Sequence, residues 1–255
     1  MLGCNNLEEL NVSNTTLTEE TLILPAKGFS SLKTLDISRT TLKYLRFGLN
    51  DVQDEYLNLI DFKDLSSLTV QECSNISKIV CANNKENPIE LKNNSFEGCS
   101  SLVELYGNFI IEGEKVFSGC SSLILDLDTT SDFVEGEEVT NIQFKPNLNS
   151  CYNLFQGCSS INIDAFRYIM NKIPESVNSL EGIFLGCSSI SGKINRSLLN
   201  RCKNVTSLKD AFSGTGLYGA LESRKSSYSV DDQSTWGFFD FVPNISTIEN
   251  AFSNT

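Results

Sequence analysis

Phe96-Glu-Gly-Cys-Ser-Ser-Leu102 returns almost unchanged as Phe117-Ser-Gly-Cys-Ser-Ser-Leu123, Phe155-Gln-Gly-Cys-Ser-Ser-Ile161 and Phe184-Leu-Gly-Cys-Ser-Ser-Ile190. Self-similarity of this kind is the signature of a chain that builds one small unit many times. Weaker copies extend the series in both directions: Gly28-Phe-Ser-Ser-Leu32, Phe62-Lys-Asp-Leu-Ser-Ser-Leu68, Phe212-Ser-Gly-Thr215 and Phe252-Ser-Asn-Thr255. A related form, Cys-x-Asn-apolar, recurs at Cys4, Cys73 and Cys202. Phe and Leu are expected to fill the same inner slot in unit after unit, Gly to allow the tight turn, and Ser hydroxyls to satisfy turn backbone. Cys at the fourth position acts as a small hydrophobe suited to an interior ladder.

The Phe positions 96, 117, 155, 184, 212 and 252 are separated by 21, 38, 29, 28 and 40 residues. The short intervals fall in the range of leucine-rich repeats, about 20–29 residues. After many turns comes an apolar-x-x-apolar-x-apolar run, cleanest at Leu7-x-x-Leu10-x-Val12 and Leu32-x-x-Leu35-x-Ile37 and partial at Leu102-x-x-Leu105 and Val205-x-x-Leu208. Such a run predicts a short strand with its apolar residues turned into a stacked core. Residues Ile163–Ile173 have apolar spacing near 3 and 4, which predicts one amphipathic helix ended by Pro174.

The pattern resembles the BspA-like leucine-rich repeats of bacterial surface proteins, whose units carry an aromatic-x-Gly-Cys-x-x-Leu turn. The resemblance covers most of the chain and is sharpest between residues 96 and 190; before Phe96 the runs Leu7–Leu17 and Leu32–Leu42 are closer to ordinary leucine-rich repeats, and after Cys202 Gly-Thr replaces Gly-Cys. It implies a repeat solenoid of short parallel β-strands and turns with at most short helices, used for adhesion or protein binding. Such repeats also occur in phage and eukaryotic proteins, so architecture is better fixed than biology.

Residues 1–255 are expected to form this single solenoid. A repeat turn lies within a few residues of each end, and an uncapped array exposes core and strand edges. The expectation is a fragment of a longer protein, or ends covered by flanking sequence or another subunit. Three insertions break the period. The first, 50–61, is acidic and is expected to hold a short helical turn; 126–139 is rich in carboxylates; 222–241 is polar, then aromatic.

Composition narrows the function classes. With 32 acidic against 20 basic side chains the formal charge is −12, the wrong sign for a nucleic-acid backbone. The chain has no histidine, which removes His-based triads, imidazole bases and almost every catalytic zinc site. No apolar run approaches the ~20 residues of a membrane helix. The nine cysteines include no C-x-x-C pair and are expected to be reduced and structural, Cys99, Cys120, Cys158 and Cys187 as buried free thiols. No cofactor is expected.

Gly214-Thr-Gly-Leu-Tyr-Gly219 matches G-x-G-x-x-G, but its first glycines belong to the repeat turn after Phe212 and no βαβ unit surrounds it. Asp126, Asp128 and Glu137, with Thr130, stand at EF-hand ligand positions 1, 3, 12 and 5, while Ser131 sits where Gly is required; a strand with carboxylates in solvent is the better reading. Paired carboxylates for glycan cleavage arise by accident among 32 acidic residues, so a glycan-active enzyme is a remote alternative. The best binding candidates are aromatic: Tyr228, Trp236 and Phe238 in the third insertion, whereas Phe239 and Phe241 fit equally well as core. Glu9, Asn11, Thr34, Asp36, Glu104 and Tyr106, at outward strand positions, are expected to line one face. The expectation is therefore a non-enzymatic module that binds a protein or glycan at a cell surface; the alternative is a structural or receptor-binding component of a phage virion.

Overall fold

Every strand pairing among the described residues is parallel, and each parallel neighbour is reached by carrying the chain across to a second strip of sheet and back. The computed structural model describes residues 4, 6–16, 21–24, 31–42, 44–47, 57–58, 65–81, 88–125, 127, 140–194, 196–219 and 242–255. One strip runs β1 (Glu9–Asn11), β3 (Thr34–Asp36), β6 (Ser67–Thr69), β8 (Ile89–Leu91), β9 (Glu104–Ile111), β10 (Thr140–Phe144). The other runs β2 (Thr21–Leu24), β4 (Tyr44–Phe47), β5 (Leu57–Asn58), β7 (Lys78–Val80) and again β9. The result is a mostly parallel, curled β-sheet with few helices.

Strand β9 belongs to both strips because the interval from Phe96 to Phe117 is the shortest in the series. Its first residues pair with β7 (Ile79 opposite Leu105) and its last with β8 (Ile89 opposite Phe109), so one strand of 8 residues replaces two strands and their connection. Gly107, with φ 139°, marks the change; a Cβ there would stand 2.9 Å from the Cys81 Cβ.

Between the strips the chain makes the same turn each time. It occurs at Val12–Thr15, Ile37–Thr40, Val70–Cys73, Phe96–Cys99, Phe117–Cys120, Phe155–Cys158, Phe184–Cys187, Phe212–Thr215 and Phe252–Thr255, and the third residue of each is left-handed: Asn14, Arg39, Glu72, Gly98, Gly119, Gly157, Gly186, Gly214 and Asn254. In every turn but the last, the third N–H donates to a carbonyl of the next turn and the first N–H to the carbonyl just before it. Gly98 N to Ser118 O (2.8 Å), Gly119 N to Gln156 O (2.7 Å) and Gly157 N to Leu185 O (2.7 Å) are examples. A turn thus becomes a rung, and its backbone is paired as fully as a strand's.

The core is a column of first-position side chains. The rings of Phe96, Phe117, Phe155 and Phe184 stack nearly parallel with centroids 5.3–5.4 Å apart, and the column continues through Phe212 to Phe252. It widens only between Phe184 and Phe212, to 6.5 Å, where Phe166 presses edge-on against both. Phe166 comes from α1 (Ile163–Lys172), which stands where other units have a second-strip strand. Asn162 caps this helix by accepting from the N–H groups of Asp164 and Ala165, and it stops before Pro174, as its sequence predicts. Leu102, Leu123, Ile161 and Ile190 are buried beside the column. Smaller elements follow: β11 (Ser191–Lys193) pairs with β12 (Gly216–Tyr218), with a 3-10 turn at Arg196–Leu199.

All nine cysteines are free, and all but Cys4 are buried. The thiols form their own ladder: Cys73, Cys99, Cys120, Cys158 and Cys187 donate to the carbonyls of Ile37, Val70, Phe96, Phe117 and Phe155, the first residue of the preceding turn, at 3.0–3.1 Å. The carbonyl of Phe96 also accepts the N–H of Cys99, so both of its lone pairs are used. Thr40, Thr215 and Thr255 instead close their own turns, on Ile37, Phe212 and Phe252. Cysteine ties one unit to the last; threonine ties a unit to itself.

One expectation is corrected. Phe62-Lys-Asp-Leu-Ser-Ser-Leu68 does not place its Ser-Ser-Leu as the Phe96 turn does: Ser67–Thr69 is strand β6 and the turn follows at Val70, as in the preceding unit it follows at Ile37; Phe29 and Phe62 themselves lie outside the described residues. In the first insertion Leu57–Asn58 is strand β5, and the rest of it lies outside the described residues. The second insertion lies outside the described residues except for Leu127, which bridges to Thr140, and the third lies wholly outside them up to Val242.

Candidate functional site

The outward strand residues sort into two places, not one face. Register puts Glu9 beside Thr34, Thr34 beside Ser67 and Ser67 beside Glu90, with a second row of Asn11, Asp36 and Thr69. Alternation decides this: Leu10, Leu35 and Leu68 point inward, so their neighbours point out at strand spacing of about 4.8 Å. Glu104 and Tyr106 lie on the second strip, opposite Lys78 and Val80. There the Lys78 ammonium sits 3.4 Å from Glu104 and 5.0 Å from the centre of the Tyr106 ring.

Within the rows the side chains divide by task. Asn11 Nδ2 donates to Asp36 Oδ2 at 3.2 Å, but the Oδ1 of each closes a turn: Asn11 Oδ1 accepts from Ser13 N and Asp36 Oδ1 from Ser38 N, both at 2.9 Å. Asn11 and Asp36 are thus partly structural. Glu9, Thr34 and Ser67 carry no such bond among the described residues and make up the more available row, while Glu90 at its end lies 3.8 Å from the Lys145 ammonium. Ser67, Thr69 and Glu90 were not read from the sequence as surface; the alternation Leu65-Ser-Ser-Leu68-Thr-Val70 holds the signal, obscured by the misplaced Phe62 turn.

The rows continue along the turns. Arg39 Nε is 3.1 Å from Glu72 Oε2, Arg39 also donates to Gln71, and Gln71 Nε2 donates to Glu97 at 2.8 Å. From Gly98 to Gly214 glycine removes the third-position side chains, and the second-position ones continue the edge, as where the Ser213 and Ser253 hydroxyls meet at 2.7 Å.

The buried thiols are held protonated. Burial pushes the thiols of Cys120, Cys187 and Cys202 up to about 12, and those of Cys99 and Cys158 well above the usual range. In the G-x-G-x-x-G segment the N–H of Gly214 is bonded to Ser253 O and that of Gly216 to Ile190 O, so these groups are taken by the fold. Tyr228, Trp236, Phe238, Phe239 and Phe241, and the calcium candidates Asp126, Asp128 and Glu137, lie outside the described residues. Among those described, no three His, Cys, Asp or Glu side chains gather to hold a metal ion, and no helix is long and apolar enough to cross a membrane.

Set against protein-family models, curated proteins and solved structures, the chain matches none of them.

Proposed function

We propose that the protein is a BspA-like leucine-rich-repeat solenoid without catalytic activity that binds a protein or glycan partner, in the cell-surface setting the resemblance implies. The observation that carries this reading is the row Glu9–Thr34–Ser67–Glu90: outward polar side chains in register on a scaffold whose interior is fully used for stacking. Such a surface suits an extended partner that crosses the strands, because contacts repeat at the strand spacing and the scaffold loses little entropy on binding. The acidic balance favours a partner that is basic or rich in hydroxyls. Trp236 is a further anchor in this proposal, as the chain's one tryptophan, beside Gly237.

The test is binding of the whole chain to immobilised extracellular-matrix proteins and a glycan array, repeated with Thr34→Arg/Ser67→Arg and with Trp236→Ala. Specific binding that falls about tenfold or more in either variant, with the thermal midpoint unchanged, is expected. Binding unaffected by both variants, or turnover of a glycan on the array, would contradict the reading.

A further inference from the structure

We draw no further inference here: the strongest candidate, the apolar patch formed by the half-exposed Ile248 with the partly buried Ile245 and Phe252 on the unit that carries the Phe252–Thr255 turn, carries nothing because nothing in the structure shows what covers it.

Discussion

Cysteine is the residue on which the repeat turns most closely depend, and its role is more specific than that of a small hydrophobe. Each ladder thiol completes a carbonyl of the preceding turn, which alanine or valine could not do, and burial keeps it protonated. The pH dependence follows. The ordinary thiol value is 9.0, and that of Cys120 rises to about 12 in the folded protein. Below the unfolded value both states hold the proton and stability is complete. As pH rises from about 9 towards about 12, the unfolded chain releases a proton that the folded one keeps, and stability falls by up to about 1.4 kcal/mol per pH unit for each such thiol. Urea unfolding between about pH 8 and about pH 10.5 should therefore show a shallower decline in Cys120→Ala than in the wild type, by about 1 kcal/mol per pH unit. Equal slopes would mean that the native thiol is already solvated.

At the scale of elements, the strand shared by both strips depends on a single backbone conformation. Gly107→Ala adds a Cβ at φ 139° against Cys81 and the ring of Phe109, so it combines strain with overpacking. A loss of about 3 kcal/mol or more is expected from thermal or urea unfolding, against about 1–2 kcal/mol for Gly157→Ala, whose Cβ would find Gly119 at 3.7 Å. Comparable losses would show that β9 does not bend at Gly107. The turns from Phe96 to Phe212 and the helix ended by Pro174 are legible in the sequence because ring stacking, left-handed glycine and proline each admit few residue types. The earlier turns are not. Ile37 and Val70 replace Phe at no cost to burial and Val12 is partly buried in the same slot, while Asn14, Arg39 and Glu72 accept a left-handed backbone that the motif assigns to Gly. What survives in all of them is an aliphatic or aromatic residue three places before Thr or Cys, too sparse a signal to outweigh the Phe62-to-Leu68 look-alike.

For the molecule as a whole, the same asymmetry governs the candidate sites. Glu9, Asn11, Thr34 and Asp36 could be assigned outward from alternation alone, since one inward Leu fixes both neighbours. That Glu104 and Tyr106 belong to the other strip could not, because it depends on how β9 is shared between segments far apart in sequence. The central claim is that the repeated turns stack into one hydrogen-bonded ladder, and residue-resolved native-state hydrogen exchange tests it most directly. The amides of Gly98, Gly119, Gly157 and Gly186 stand in turns that would be open to solvent in any unstacked arrangement. The account predicts that they exchange as slowly as the amides of Leu105 and Ile142 within the strands, opening only with the cooperative unit around them. Fast exchange at these glycines beside protected strands would contradict it.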